Sequence, residues 1–341
     1  MASISIIIPC RNEERFIAKC LDSVIAQEYP KDDLEVLVID GMSQDGTKDI
    51  ISRYSQKYPL IRLFNNPRRT TPFALNLGIN NSKGEYIFWM SAHNTYEDDY
   101  LAKCVKYINE YQADNVGGIM VTLPRDNTLT AKVIAKVISD PFGVGNSTFR
   151  TGAGKPTWVD TVFGGCYRRE VFKKIGLFNE RLTRGQDMEF NLRLKNAGLR
   201  TLLVPEIVSY YYARSDIKSF IAHNFSNGRW AILPFMYSKI IPVSARHLVP
   251  LLFVLSLFIT GCLGFFHPQA RPLFACILGS YLLLDALFSI RLCIKEKSIA
   301  CLFLAPLLFP ALHISYGLGS LLGMFNCLFS IELWKRIRNG T

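Results

Sequence analysis

The chain has 341 residues, of which 49% are hydrophobic, and its formal net charge at neutral pH is +11. This length exceeds that of an average domain, so two unlike regions are expected. The sequence has no helix-turn-helix or aromatic RNA-binding motif, so the positive charge favours phosphate-bearing lipids and nucleotides as partners and argues against nucleic acid.

Short apolar runs alternate with amphipathic stretches along the first part of the chain. Ile4 to Ile8 reads as a buried strand ended by Pro9, and a helix follows, with Asn12 as its predicted cap. Further strands are predicted at 34–39, 61–64 and 86–90, and further helices around residues 50–54 and after Pro72. This βαβα series predicts an α/β domain with a mostly parallel sheet and helices on both faces.

Ligands of such a sheet bind beyond the carboxyl ends of its strands. The polar loops that directly follow apolar strands are Pro9 to Glu13, Asp40 to Thr47 and Ser91 to Tyr96. We expect these three loops to border one binding site.

Two of these loops belong to longer motifs. Residues 5–13 read SIIIPCRNE and residues 38–47 read VIDGMSQDGT. In this order and spacing they resemble the opening of the family-2 glycosyltransferases with the GT-A fold, and especially the bacterial exopolysaccharide enzymes of the succinoglycan type. The resemblance runs from about Ser3 to Trp230. It implies a Rossmann-like GT-A domain that binds a nucleotide sugar, followed by membrane spans.

Asp40 ends the second predicted strand, where a carboxylate is placed to accept hydrogen bonds from a uracil ring or ribose hydroxyls. The alternative is a turn residue that stabilises its own loop. Arg11 and Glu13 belong either to the same rim or to a helix start, and Arg69 either contacts diphosphate or solvates a turn. The predicted donor-side residues are Pro9, Arg11, Glu13, Asp40, Asp45, Arg69 and Ser91.

The resemblance also implies a metal site. The family places Asp-x-Asp or Asp-x-His after the fourth strand to hold a divalent ion on the diphosphate, and this chain has Ser91-Ala92-His93. His93 matches the ligand position, and an imidazole suits Mn²⁺ better than Mg²⁺. Ser91 removes one carboxylate, which puts the metal affinity in question. A hydrogen-bonded structural histidine is the alternative.

Two later segments resemble the acceptor side of the same family. Residues 161–168 (TVFGGCYR) contain Gly164 and Gly165, which permit close backbone approach. Residues 178–189 (FNERLTRGQDME) resemble the segment of the catalytic carboxylate, with Gln186 where Glu is common. Asp187 is then the general base that deprotonates an acceptor hydroxyl, which implies inversion at the anomeric carbon. A simple helix-start charge is the alternative.

Residues 224–230 (NFSNGRW) resemble an element in which Arg229 pairs with the donor diphosphate and Trp230 stacks on the acceptor. The neighbouring apolar residues fit an amphipathic helix on a membrane surface equally well. Both interpretations stay open at this point.

Three apolar runs follow, at 248–266, 272–290 and 298–330, and the first two are long enough for one crossing each. The third is too long for one simple crossing, so it predicts either a kinked span with an interfacial piece or a helical hairpin. Arg246 and the basic residues at 291, 295 and 297 predict a cytosolic first region. A basic tail at 335–341 also favours the cytosol, which favours the hairpin.

The predicted organisation is a GT-A domain at 1–215, interfacial helices at 216–245, a transmembrane region at 246–334 and the tail. The predicted function is an inverting transfer of a hexose from a nucleotide sugar, expected to be a UDP-sugar, to a polyprenyl-diphosphate-linked saccharide. The expected location is a bacterial cytoplasmic membrane. The alternatives are a transferase acting on polyprenyl monophosphate and a non-catalytic membrane protein that binds nucleotide sugars.

Overall fold

The computed structural model describes residues 2–237 and 245–330. Two compact units divide this chain: a sheet unit of residues 2–121 and 148–212, and a helical unit of residues 122–147, 213–237 and 245–330. The last of the three breaks, between residues 212 and 213, lies close to the boundary predicted at 215, but no sequence pattern predicts that 122–147 belongs to the helical unit. Part of the predicted interfacial segment, 238–244, and the basic tail lie outside the described residues.

The first four strands of the sheet unit are parallel. β1 (Ile4–Cys10), β2 (Leu34–Asp40), β3 (Ile61–Asn65) and β4 (Tyr86–Trp89) run in the order β3-β2-β1-β4. Their near-continuous apolar sequences follow from burial on both faces, as in β1, where Ile6, Ile7 and Ile8 are all buried. This half of the sheet confirms the predicted βαβα series.

Three helices connect these strands: α1 (Ile17–Ile25), α2 (Thr47–Lys57) and α3 (Thr71–Asn80). The prediction that Asn12 caps α1 is wrong, because Phe16 occupies the cap position and no side chain caps this helix. Asn12 instead has a φ of 55°, and its Oδ1 accepts a hydrogen bond from the backbone N–H of Gln44 at 2.9 Å. Its short polar side chain links the loop after β1 to the loop after β2.

The later strands are antiparallel. The sequence continues with β5 (Asn94–Tyr96), α4 (Tyr100–Glu110), β6 (Asn115–Pro124), α5 (Leu129–Val137), α6 (Pro141–Val144), α7 (Thr148–Thr151), β7 (Thr157–Val159), β8 (Gly165–Arg168), α8 (Arg169–Ile175), α9 (Gln186–Asn196) and β9 (Thr201–Ala213). The sheet order is β3-β2-β1-β4-β8-β6-β9-β5, with β7 on β9. The expectation of a mostly parallel sheet therefore fails beyond β4. Antiparallel partners need no crossover helix, so the alternation of strands and helices in the sequence does not indicate them.

The helical unit contains α5, α6, α10 (Ile217–Ile232), α11 (Pro234–Tyr237), α12 (Ala245–Phe266), α13 (Arg271–Glu296) and α14 (Ile299–Leu328). Among the described residues, α12, α13 and α14 are long and apolar enough to cross a membrane. The hairpin prediction for the third apolar run is wrong, because α14 is one continuous helix with Pro306 and Pro310 inside it. Apolar transmembrane helices tolerate such prolines when neighbouring groups satisfy the freed backbone.

Helix α10 packs directly against α14 through glycines. A Cβ on Gly228 would lie 1.9 Å from the carbonyl oxygen of Tyr316, and a Cβ on Gly319 would lie 1.9 Å from that of Phe225. Only glycine allows two helix backbones to approach this closely, as at the small-residue interfaces of membrane helices. The buried face of α10, which includes Phe220 and Asn224, is thus a helix–helix interface.

The segment of α5 and α6 docks on α13 and α14. The ring of Phe142 stacks on Phe288, with ring centroids 4.5 Å apart, and meets Phe309 edge-on at 4.9 Å. His313 Nε2 donates to the carbonyl oxygen of Phe142 at 2.9 Å, and Tyr281 Oη lies 2.8 Å from His313 Nδ1. A carbonyl only accepts, so the Tyr281 hydroxyl must donate to Nδ1. This polar chain ties three helices together.

Candidate active site

A crevice of about 390 Å³ opens in the sheet unit where the parallel strands end. The loops after β1, β3 and β4 contribute to its wall, together with the start of α9. It is lined by Pro9, Cys10, Arg11, Glu13, Gly41, Asn66, Arg69, Thr70, Thr71, Ala74, Trp89, Ser91, His93, Phe163, Gly164, Gln186 and Asp187. Residues far apart in sequence, His93 and Asp187 among them, therefore share one site.

The loops after the first three strands each contain a non-glycine residue in the left-handed region. These residues are Asn12 (φ 55°), Met42 (φ 59°) and Arg69 (φ 60°). Such conformations cost about 1–3 kcal/mol each and cluster at ligand sites. Arg69 is held there by Asn66, whose backbone and side-chain oxygens accept from the Arg69 N–H at 3.1 and 3.0 Å. The strain positions a guanidinium at the crevice.

Asp40 and Asp45 do not line this crevice. Asp40 is 1% exposed and accepts hydrogen bonds from the backbone N–H of Ser43 at 3.1 Å and from its hydroxyl at 2.5 Å. These hydrogen bonds match the alternative in which Asp40 stabilises its own loop. The next residue, Gly41, lines the crevice. Asp45 accepts from the N–H of Thr47 at 3.1 Å and from its hydroxyl at 2.6 Å. The geometry thus favours loop-building roles for both carboxylates.

Glu13, Ser91 and His93 lie together at the crevice wall. His93 Nδ1 is 3.1 Å from Glu13 Oε1, and Ser91 Oγ is 3.4 Å from Nδ1 and 3.3 Å from Nε2. The imidazole also meets the Tyr211 ring edge-on, with centroids 5.5 Å apart. The side chains of His93 and Glu13 are 33% and 22% exposed, so a ligand in the crevice has access to both.

Asp187 stands in the first turn of α9. Gly185, with a φ of 72°, precedes the helix and turns the chain into it. Burial raises the pKa of Asp187, and hydrogen bonding from the Met188 N–H and its own N–H opposes that rise. A carboxylate with a raised pKa is a stronger base at neutral pH. Beside it, Gln186 is buried, and its Oε1 has no hydrogen-bond partner among the described residues.

With this geometry established, comparison with known proteins decides the family. The model of the family described as Glycosyl transferase family 2 matches residues 5–176. The dolichyl N-acetyl-alpha-D-glucosaminyl phosphate 3-beta-D-2,3-diacetamido-2,3-dideoxy-beta-D-glucuronosyltransferase of Methanococcus voltae is 31% identical, covering 100% of this chain and 98% of its own. The chain belongs to glycosyltransferase family 2.

Two further relatives extend the comparison. The succinoglycan biosynthesis protein ExoA of Rhizobium meliloti is 29% identical over 72% of this glycosyltransferase and 74% of its own chain. The structure of the mannosyltransferase PcManGT from Pyrobaculum calidifontis, in complex with GDP-Man and Mn²⁺, superposes with a TM-score of 0.57 at 21% identity. That match covers 95% of this chain and 88% of the mannosyltransferase. It shows the shared fold, so the predicted GT-A architecture with C-terminal helices is confirmed.

The described residues contain no cluster of three or more histidine, cysteine, aspartate or glutamate side chains that would hold a metal ion unaided. His93 is the candidate ligand because of its position after β4, and its Nε2 has only the 3.3 Å contact with Ser91 Oγ among the described residues. An imidazole fits an ion that takes its other ligands from diphosphate oxygens and water.

The acceptor-side glycines have different surroundings. Gly164 lines the crevice, and a Cβ there would lie 2.5 Å from the backbone oxygen of Trp89. Gly165, with a φ of 127°, packs against Asn115 behind the wall, where a Cβ would lie 2.4 Å from Oδ1. Both positions need glycine, but only Gly164 borders the ligand space.

Arg229 and Trp230 lie on α10 in the helical unit and are not among the residues that line the crevice. With the Asn326 amide oxygen turned toward it, the Arg229 guanidinium donates to that oxygen at 2.9 and 3.1 Å. Trp230 is partly buried against an apolar cluster that includes Leu233 and Leu251. Their described contacts are therefore with the helical unit.

Sequence reasoning missed several lining residues, above all Asn66, Thr70 and Thr71 after β3. The sequence does contain a signal for these three residues. The apolar pattern predicts the third strand, and a loop at the carboxyl end of a parallel strand is expected to border the ligand site. Trp89 and Phe163 carry no such signal, since apolar residues in strands and loops usually belong to the core.

Proposed function

We propose that this enzyme transfers a hexose, with inversion, from a nucleotide sugar to a hydroxyl of a lipid-linked saccharide. The observation that carries the proposal is the shared crevice. It combines a carboxylate of raised pKa, Asp187, with two guanidinium side chains, Arg11 and Arg69. Displacement of a nucleoside diphosphate requires a base and anion-binding side chains in one site.

In this mechanism Arg11 and Arg69 pair with the donor diphosphate and stabilise the charge that develops on it. Asp187 accepts the proton of the acceptor hydroxyl while that oxygen forms its bond to the anomeric carbon. The bond from this carbon to the diphosphate oxygen breaks on the opposite face, so the configuration inverts. Gln186 Oε1, buried beside the base, is placed to accept a hydrogen bond from a substrate hydroxyl or amide N–H.

His93 is the residue we propose to hold a divalent ion, with Mn²⁺ preferred over Mg²⁺. When bound there, such an ion would supply positive charge to offset that of the departing diphosphate. The Mn²⁺ and GDP-Man in the mannosyltransferase structure show that the fold accommodates both groups in that protein.

The proposed acceptor is a saccharide already attached to a polyprenyl phosphate or diphosphate. Two relatives support this class: the Methanococcus enzyme is named for a dolichyl-phosphate-linked N-acetylglucosamine acceptor, and ExoA for succinoglycan synthesis. A sugar hydroxyl needs a general base, whereas a bare polyprenyl monophosphate is already ionised and needs little help from Asp187.

We propose that α12, α13 and α14 cross a cytoplasmic membrane, with the residues before Arg246 on the cytosolic side. Arg291 and Lys295, near the C-terminal end of α13, and Lys297, between α13 and α14, support this orientation. Holding enzyme and lipid acceptor in one membrane raises their effective concentration.

The test is release of nucleoside diphosphate by the purified full-length chain, given a panel of UDP- and GDP-sugars and membrane lipid extract, with mass spectrometry of the lipids. The expected product is a lipid-linked saccharide longer by one hexose. Asp187→Asn should lower this transfer about 10²- to 10⁴-fold, whereas transfer to polyprenyl monophosphate, an already ionised acceptor, should fall much less. Transfer to the monophosphate that survives Asp187→Asn, without any saccharide extension, would instead favour the loading enzyme. Nucleotide binding without turnover of any donor would favour a non-catalytic role.

A further inference from the structure

We propose that Glu13 is a positioning residue that fixes the tautomer and orientation of His93, so that His93 Nε2 presents its lone pair to a divalent ion in the crevice. This inference rests on the proposed function, in which His93 holds that ion on the donor diphosphate. It assigns to Glu13 a role that acts through another side chain, in place of direct contact with the nucleotide.

The sheet brings the two side chains together. Glu13 follows β1 and His93 follows β4, and these strands pair in parallel, with Ile7 opposite Trp89. The carboxylate oxygen Oε1 then lies 3.1 Å from His93 Nδ1. A carboxylate only accepts hydrogen bonds, so in the neutral imidazole the proton resides on Nδ1 and the lone pair on Nε2.

The contacts of Ser91 leave Nε2 available. Its hydroxyl oxygen lies 3.4 Å from Nδ1 and 3.3 Å from Nε2, which is nearly the same distance from both nitrogens. The lone pairs of the two ring nitrogens point in different directions, so one oxygen equidistant from both cannot lie in line with either. Among the described residues, Nε2 therefore has no well-aligned hydrogen-bond partner. Because His93 lines the crevice, this nitrogen is available to a ligand there.

Glu13 is itself held in place. Its backbone N–H donates to Thr47 Oγ1 at 2.8 Å, and that hydroxyl donates to Asp45 Oδ1 at 2.6 Å. Asp45 thereby joins the site indirectly, through the loop that places Glu13. The Tyr211 ring, with its centroid 5.5 Å from that of the imidazole, limits rotation of the His93 ring.

By the resemblance given above, Ser91 stands where a carboxylate is common, so a second carboxylate near the ion would strengthen its binding. A carboxylate that accepts from the far nitrogen of a metal-binding histidine orients the ring and raises its basicity, and loss of such a partner weakens metal affinity about 10- to 100-fold. Glu13 thus restores, through the imidazole, part of the negative charge that Ser91 lacks.

The test compares wild type with Glu13→Gln in the full-length detergent-solubilised chain. The matched control is Glu14→Gln, which removes the same charge from the next, exposed residue. UDP and GDP affinities are measured by calorimetry with and without Mn²⁺. We expect Glu13→Gln to lose about 10- to 100-fold of the affinity that Mn²⁺ adds, and to keep the metal-free affinity. Glu14→Gln should behave like wild type.

A second readout needs neither metal nor turnover. The chain has five histidines, so ¹⁵N-imidazole NMR with His93→Asn as the assignment variant identifies the His93 signals. We expect a protonated Nδ1 and unprotonated Nε2 in wild type, and loss of this preference in Glu13→Gln. The other four histidines report whether the variant is folded.

The outcomes separate this inference from the proposed function. Equal Mn²⁺-dependent gains in wild type and Glu13→Gln, or a proton on Nε2 in wild type, overturn the role of Glu13 even where sugar transfer is observed. A Glu13-dependent Mn²⁺ gain with no turnover of any nucleotide sugar would support the positioning role and count against the transferase proposal alone.

Discussion

The contact between α10 and α14 gives a sharp test of how the helical unit is built. The perturbation is Gly228→Ala, which adds one methyl group at a point where it would lie 1.9 Å from the Tyr316 carbonyl oxygen. Real Cβ atoms do not approach other atoms within 3.0 Å, so the helices must separate locally by about 1 Å.

The magnitude follows from that separation. A gap of about 1 Å forfeits about a quarter to a half of the van der Waals energy of each atom pair across it. Overpacking of this kind costs about 1–3 kcal/mol, whereas alanine in a helix gains about 1 kcal/mol over glycine where there is room. Gly279 on α13 provides the matched control, because nothing lies within 4 Å of its added Cβ. The helix gain applies to both positions, so we expect Gly228→Ala to be about 1–3 kcal/mol less stable than Gly279→Ala.

The assay is unfolding of the solubilised full-length chain by increasing SDS, followed by circular dichroism. Gly319→Ala should match Gly228→Ala, because it meets the Phe225 carbonyl oxygen at the same 1.9 Å. If Gly228→Ala and Gly279→Ala unfold at the same SDS fraction, the close backbone contact is not formed and the reasoning is refuted.

Three further predictions concern single side chains. Since burial raises the pKa of Asp187, kcat/KM should fall on acidification at a pH above the ordinary carboxyl range of about 4. Asp187→Asn should lower kcat about 10²- to 10⁴-fold and remove this fall at acidic pH. A wild-type profile that is flat to pH 4 would count against a base of raised pKa. Met42 has a φ of 59°, so Met42→Val should unfold with about 1–2 kcal/mol less stability than Met42→Gly in denaturant titrations, and equal midpoints would contradict the left-handed conformation. His313→Phe leaves the Phe142 carbonyl oxygen without its donor and should cost about 1–3 kcal/mol in the SDS titration, an effect that Tyr281→Phe should reproduce only in part.

Local pattern predicts the parallel half of the sheet well. The strands from Ile4 to Trp89 and the helices between them lie where their apolar spacing places them, because each buries its own periodic face. The carboxyl-end rule likewise locates Arg11, Glu13, Ser91 and His93 at the crevice from the order of strands and loops alone.

What the sequence does not reveal depends on contacts between side chains and their particular partners. Asp40, for example, accepts hydrogen bonds from the N–H and the hydroxyl of Ser43, three residues on, and the sequence alone does not distinguish this arrangement from a free carboxylate. The docking of Phe142 depends on α13 and α14, far along the chain, and no local pattern encodes it. The same holds for Gly228, whose importance appears only when the carbonyl opposite it is known.

The return of the chain from the helical unit to the sheet unit at residue 148 has a practical consequence. The apolar face of α5, with Ile134 and Val137 buried, and the Phe142 ring find their cover on helices that lie after residue 212. Truncating the chain after residue 212 would leave these apolar side chains exposed to solvent in the middle of the remaining polypeptide. A fragment truncated there to gain solubility should therefore aggregate. Exchange of the helical unit between related enzymes would have to move two separate stretches of sequence together.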